Sequence, residues 1–416
     1  MKNILIINQY ASNPRTGFGG RSYYLAQSLA KSNKITLIYG SFNHLLRSKI
    51  HQKSYEDKNN GNPFKVKVLR VFSYKSSRSI FRIINWFIFL LKLCFLSKKN
   101  IGFKPDYIIY SSPALPGYIG AYILARKLSC PLYLEVRDIW PLSILELGSF
   151  SKNNLFVIIL HLIEKFAYKS ADGIISNLNN VREHIAKYTN KKIRFHFSPN
   201  GVVQDINLLN QDLHKLSSSS NILEELNIIH SSGKTIIGYV GGLAPANAMD
   251  LFVDSALLAI EDSDLFFVIV GDGPERKRLE TRCLSLKLNN IKFYSGVAKR
   301  DITPVLKAMD ILFLANQFKE IYSFGVSPMK LPEYLESKQP IIHVTNSMSL
   351  LDQLECWEVV KEYKPSAIMQ SIYKIKNMHK KEKQAMGDRA NKMVSKNLNY
   401  DFIGESLMSF LEDADI

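Results

Sequence analysis

Short apolar runs alternate with amphipathic stretches along nearly the whole chain, and the alternation starts afresh near residue 234. Residues 3–8, 34–39, 66–72, 106–110, 131–136 and 173–177 are rich in β-branched side chains and bounded by Gly, Pro, Asn or Asp. Such runs read as parallel strands buried on both faces. Stretches between them, such as 21–31 with Leu25 and Leu29 four apart and 116–129, carry helical spacing. A second set of strands at 235–240, 265–270, 291–294, 310–314 and 340–344 is separated by helical segments at 248–261, 274–288, 301–308 and 328–337. This is the βαβ rhythm of doubly wound sheets. The chain has 416 residues, and single cores stop growing beyond roughly 250–300 residues. The pattern therefore predicts an α/β protein of two Rossmann-like doubly wound domains facing across a cleft. Segment 201–233, which contains Ser217–Ser220 and few strand signals, reads as the linker, and 381–416 reads as helical with an acidic end.

Charge and cysteine usage narrow the chemistry. Lys and Arg number 54 against 37 Asp and Glu, a net charge of +17. That excess attracts something anionic: a membrane surface, nucleic acid or a phosphorylated substrate. No recognised nucleic-acid motif accompanies it, so nucleic acid is not expected as a partner. Cys94, Cys130, Cys283 and Cys356 are far apart with no CxxC pair, which suits a reducing compartment and excludes a zinc ribbon. The histidines show no HxxxH spacing, and no GxSxG, Walker loop or HExxH occurs. Asp262-Ser263-Asp264 matches a DxD pattern but precedes the strand at 265–270, at the end away from a ligand, so no metal is expected. Residues 1–7 carry one positive charge and a very short apolar run, which reads as a first strand and not as a signal peptide.

In doubly wound sheets, ligands bind beyond the carboxyl ends of the strands. The loop after the first strand holds Gly17, Gly19 and Gly20 ahead of a helix, a setting for close approach of an anion. It is longer than the dinucleotide GxGxxG turn, which disfavours a dehydrogenase. Glu135-Val136-Arg137-Asp138-Ile139-Trp140-Pro141 places Arg137 and Asp138 where they either hold a substrate hydroxyl and developing charge or anchor the loop. Gly241 follows the first strand of the second set, while Gly271–Glu275 reads mostly as strand-to-helix architecture. A helix starting near Pro328 would turn the backbone of Ser327, Pro328 and Met329 toward a diphosphate, with Lys330 as a point charge. Glu333 could accept two hydrogen bonds from a sugar diol. Finally, 78–99 reads RSIFRIINWFIFLLKLCFLSKK. It is too interrupted to span a bilayer. A helix in the headgroup layer, contacting it through Arg82, Trp86, Phe87, Phe89 and Lys92, fits this composition, with a core helix as the alternative.

These motifs occur in a telling order: NQYASNPRTGFGGRSYYLA, EVRDIWP, SPNG at 198–201, GDGPE and GVSPMKLPEYL. Together they resemble, over essentially the whole chain, family 4 glycosyltransferases of the GT-B fold, in the WbuB-like branch. The resemblance implies an acceptor-binding domain over 1–202, a nucleotide-sugar domain over 203–396 and a helix over 397–416 returning to the first domain. It implies retaining transfer of a sugar, an N-acetylated amino sugar, from a UDP-sugar to a polyprenyl-diphosphate-linked glycan of O-antigen or capsule, without a metal or other cofactor. The enzyme would sit in the cytoplasm, peripheral on an anionic membrane at the inner face. Gly19, Gly20, Ser327, Pro328, Met329 and Lys330 would meet the donor diphosphate, Glu333 the ribose, Gly296 and Val297 the base, and Gly241 the donor. The chain departs from the family pattern at Arg137, where relatives place a His, and at Gly325, where a second Glu would stand. Gly242 and Asn247 also depart from it. Two alternatives stay open: a UDP-sugar epimerase on the same architecture, and, because of those departures, a non-catalytic subunit binding nucleotide sugar or lipid.

Overall fold

The computed structural model describes residues 1–14, 20–43, 46, 62–74, 79–148, 150–203 and 219–413. Two compact units divide the chain: Met1–Val203 with Tyr400–Ile416, and Gln204–Asn399. In the first unit the strands are β1 (Asn3–Ile7), β2 (Lys34–Gly40), β3 (Lys65–Leu69), β4 (Tyr107–Ser111), β5 (Leu132–Val136), β6 (Gly173–Ser176) and β7 (Arg194–Phe197). They form one parallel sheet in the order β3-β2-β1-β4-β5-β6-β7. The second unit holds β8 (Thr235–Val240), β9 (Leu265–Val270), β10 (Ile291–Tyr294), β11 (Ile311–Ala315), β12 (Ile341–Val344) and β13 (Glu358–Val360). These too are parallel, in the order β10-β9-β8-β11-β12-β13. Both orders reverse beside the first strand of their unit, between β1 and β4 and between β8 and β11. A doubly wound sheet opens its ligand crevice at that switch point.

The central strands are apolar on both faces because helices cover both, and β1, β4, β5, β8 and β11 are buried almost throughout. The helix Tyr400–Glu412 packs in the first unit against the helix Arg21–Leu29: the Tyr24 and Tyr400 rings lie 5.5 Å apart, and Tyr133 meets Phe410 at 5.7 Å. Three local readings change. The segment 201–233 was expected as a linker, yet Ser219–Ser231 is a helix with Ile222 and Leu226, one turn apart, on its buried face; 204–218 lie outside the described residues. The last segment is two helices, Lys380–Asn397 and Tyr400–Glu412. Strands β7 and β13 were not expected, since four- and three-residue edge strands carry too little periodicity to stand out.

Candidate functional site

The second unit gathers its charged loops at the β8/β11 switch point. Tyr334, fully buried, accepts a hydrogen bond from the Val240 amide at 2.8 Å and donates to the Val240 carbonyl at 3.1 Å. That clasp fixes the short helix Leu331–Glu336 against the end of β8 and brings Lys330, one turn earlier, over the Gly241 loop. Lys330 Nζ donates to Tyr239 Oη at 2.7 Å and to Asn247 Oδ1 at 3.2 Å, and lies 4.6 Å from the centre of the Tyr239 ring. Asn247 Nδ2 in turn donates to the Gly242 carbonyl at 2.7 Å, so this departure from the family pattern orients the lysine. A Cβ at Gly241 would stand 2.8 Å from Lys330 Cε; only glycine leaves the ammonium its place. No carboxylate pairs with Lys330 among the described residues, and burial pushes its pKa down to about 7. A cation held among neutral oxygens at a switch point is a ready partner for an anion.

Glu333 is engaged by a residue that motif reading missed. Its carboxylate forms a close ion pair with Lys299, in the loop after β10. Burial pushes the Lys299 ammonium down to about 8. The signal was present: Lys299 follows a strand, where this topology gathers ligand groups. Gly296 donates its amide to Asp272 Oδ2 at 2.8 Å, and Val297 is buried beside it. Asp272 also pairs with Arg276 at 2.8 Å.

The cradle expected around Pro328 differs in two respects. The helix begins at Leu331, with Met329 and Lys330 in a turn whose Leu331 amide returns to the Pro328 carbonyl at 3.1 Å. A helix begun at 328 would carry Pro332 in its interior, where the missing N–H removes a bond; begun at 331, it has Pro332 in the first turn. Pro328 has no N–H to offer, so among Ser327, Pro328 and Met329 the expected set of donors is smaller than anticipated.

Both lysines make a pH prediction. Unfolded lysine titrates near 10.4, and folding lowers Lys330 to about 7 and Lys299 to about 8. Between those values the unfolded chain binds more protons, so their contribution to stability rises with pH from about 7 to 10. Urea midpoints should increase from pH 6.5 to 9. Lys330→Met should flatten that rise and add about 1–2 kcal/mol at pH 6.5; an unaltered slope would contradict the burial.

In the first unit, Arg21 opens the helix after the glycine loop and is 1% exposed. Its Nε donates to Glu135 Oε1 at 2.7 Å, and its two terminal nitrogens reach Ser198 Oγ, at 2.6 Å, and the Pro199 carbonyl. One side chain thus ties EVRD to SPNG. Gly20 caps this helix at φ +101° with nothing within 4 Å of its missing Cβ; Gly19 lies outside the described residues. Arg137 gives its amide to Ser112 Oγ at 2.9 Å, while its Nε is buried without a hydrogen-bond partner among the described residues. Burial works against its charge, and Glu135 works for it. Asp138 is otherwise occupied: its oxygens accept from Trp140 Nε1 at 2.8 Å and from Ser143 Oγ. The carboxylate expected for chemistry is here a turn anchor, the loop-holding alternative of the sequence reading, and burial raises its pKa.

The helix Ile80–Cys94 corrects two of five expected surface contacts and engages a third, Arg82, with aromatic rings. Trp86 and Phe89 are 2% and 0% exposed. Arg82 lies 5.5–5.6 Å from the rings of Tyr10, Trp86 and Trp140 and donates to Tyr10 Oη at 3.1 Å. Helical geometry explains this, because the inward stripe must cover the core before any surface is left over. Phe87 is exposed, on a stripe with Ile80, Ile84, Leu91 and Phe95, and Lys92 is half-buried. A second apolar stripe was missed: the helix Leu155–Ser170 exposes Leu155, Ile158, Ile159, Leu162 and Phe166, beside Lys165 and Lys169. The two helices meet where Phe156 stacks on Trp86 at 5.7 Å. Among the described residues no helix is long and apolar enough to cross a membrane, and no cluster of three metal-ligating side chains occurs.

Residues 224–393 match the family described as glycosyl transferases group 1. That match lies within the second unit. Part of the chain is also similar to 2-deoxystreptamine glucosyltransferase of Streptomyces kanamyceticus, 30% identical over 99 residues; this is 23% of this chain and spans about a quarter of that protein, 26%. Among solved structures, the chain is similar to Anabaena Alr3699/HepE in complex with UDP and glucose (TM-score 0.67, 16% identity, 99% of this chain and 100% of that one). It is similar as well to trehalose-6-phosphate synthase OtsA (TM-score 0.71, 10% identity, 99% of each). WaaG, a glycosyltransferase involved in lipopolysaccharide biosynthesis, is a third (TM-score 0.61, 12% identity, 98% of each). The fold shared with these structures is GT-B. Lys330, Glu333, Lys299 and Gly241 all lie within the matched residues.

Proposed function

We propose that this chain is a retaining glycosyltransferase that moves a sugar, an N-acetylated amino sugar, from a UDP-sugar to a polyprenyl-diphosphate-linked glycan of O-antigen or capsule at an anionic membrane surface. The observation that carries the donor half is Lys330: a buried cation with neutral partners, set over a glycine loop at the switch point of a group 1 domain. HepE, of the same fold, is solved with UDP and with UDP-glucose. In this reading the donor diphosphate lies along Gly241, and Lys330 Nζ turns from Tyr239 to its oxygens. The ammonium then stabilises the negative charge that grows on the departing phosphate. Lys299 holds Glu333 in place for the ribose diol, and Gly296 and Val297 border the base. On the first unit, Gly20 approaches an anion and Arg137 answers developing charge, its loop held by Asp138 and Arg21. The protein's own cations serve the diphosphate, so the reading includes no metal. Retention and the lipid-linked acceptor rest on the ordered motifs.

Incubating the purified chain with membrane lipids and labelled UDP-sugars tests the reaction: label should enter the organic phase with one donor. Label released as free sugar, or an epimerised donor without acceptor, would refute the proposal. The membrane half rests on the paired apolar stripes of Ile80–Cys94 and Leu155–Ser170 and their lysines. Phe87→Glu with Leu162→Glu removes two exposed apolar side chains, each contributing about 1.5–3 kcal/mol when buried. Flotation with phosphatidylglycerol vesicles should fall by roughly a hundredfold or more in partition, with UDP binding kept; undiminished flotation would sink this half.

A further inference from the structure

Five lysines converge at the amino ends of the second sheet, at the far end of β8 from the Gly241 loop. A cavity of about 680 Å³ opens there, lined by Thr235 at the first residue of β8, Ile311 at the first of β11, and Pro340 just before β12. Six residues of strand separate Thr235 from Gly241, about 20 Å at the usual rise. Lys307, Lys338, Lys376, Lys380 and Lys383 surround the space against Asp310 and Asp388. Part of this charge is settled locally: Lys338 pairs with Asp388 at 2.8 Å, and Lys376 with Asp264 at 2.9 Å. Asp310 accepts the Ile236 amide at 2.7 Å and lies 3.6 Å from His230. Among the described residues, Lys383 Nζ reaches only a carbonyl, that of Lys376, at 3.2 Å. Lys307 and Lys380 have no ion-pair partner among the described residues.

Helix electrostatics sharpen the oddity. Lys380, Lys381 and Lys383 stand in the first turn of the helix Lys380–Asn397 with a single acidic residue, Glu382, among them, at an end that already carries partial positive charge. One carboxylate against three lysines in that turn, beside the lysines of neighbouring elements, leaves a net positive charge that an added anion would offset. The volume lies within the roughly 300–1,000 Å³ of small-molecule sites, and Gln339 and Gln384 add neutral donors. We propose that this cavity binds a soluble oligophosphate anion, at a second site separate from the donor loop.

Calorimetry with inorganic pyrophosphate tests it in Lys330→Ala protein, which lacks the donor-loop cation. Pyrophosphate should still bind, and adding Lys307→Ala with Lys380→Ala should weaken it about tenfold. Both side chains are exposed, so folding is not at stake. The same pair in an otherwise unaltered chain should leave UDP binding within about twofold, which separates this site from the donor reading. Arginine at both positions should restore affinity. No pyrophosphate binding in Lys330→Ala protein, or equal binding with and without the lysine pair, would overturn the proposal. Loss of retention on phosphatidylglycerol vesicles with pyrophosphate binding intact would assign the cavity to a lipid headgroup and overturn it as well.

Discussion

Lys330→Ala lowers sugar transfer by about 10²–10³-fold, the usual effect of removing one preorganised group that meets developing negative charge. The loss falls on kcat as well as on donor affinity, because the ammonium matters most when the phosphate leaves. Folding survives and improves slightly, since an ammonium lowered to about 7 by burial is disfavoured in the empty site. Lys330→Arg does not rescue transfer. The space at Gly241 is shaped to a narrow alkyl stem, with a would-be Cβ already 2.8 Å from Lys330 Cε, and a planar guanidinium is wider. Single-turnover transfer assays alongside UDP calorimetry check this. Transfer within about threefold of the parent would end the role proposed for the lysine.

Gly271→Ala destabilises the second unit by about 3 kcal/mol and abolishes UDP binding. Gly271 has φ +155°, and a Cβ there would stand 1.9 Å from the Gly241 carbonyl oxygen. Neither atom can yield cheaply, because both belong to backbone at the ends of β8 and β9. The Gly241 amide already reaches the Val270 carbonyl at 2.9 Å, and Leu243 reaches that of Asp272 at 2.9 Å. Pushing the loops apart also moves Gly241 away from Lys330. Gly242→Ala is the control: its Cβ meets only the Asp272 carbonyl, at 3.9 Å, and it should change stability by no more than about 0.5 kcal/mol. Urea denaturation of the two variants separates them; equal midpoints would refute the close-approach account.

Much of this site was legible because its signals are local. A strand end followed by glycine, and a lysine one turn before a tyrosine, can be read without knowing what packs on what. Motif order added the fold, and Gly241, Lys330 and Glu333 all lie in the second unit. Lys299 escaped because an ion pair to Glu333 joins loops more than thirty residues apart, and no spacing announces it. Arg21 escaped for the same reason, its partners lying on β5 and after β7. Asp138 looked chemical in sequence, but its carboxylate satisfies its own turn.

By itself, the alternation of buried strands and amphipathic helices determined two parallel α/β units, because periodicity is a property of neighbouring residues. Only the tertiary structure decided which side of the helix Ile80–Cys94 faces inward, and that Trp86 and Phe89 belong to the core while Leu155–Ser170 supplies the matching outer stripe. Composition counts apolar side chains without saying which face must cover a sheet; packing assigns the faces, and the surplus becomes surface. The lysine cavity is of the same kind, assembled from strand starts and a distant helix whose charges meet only when the chain is folded.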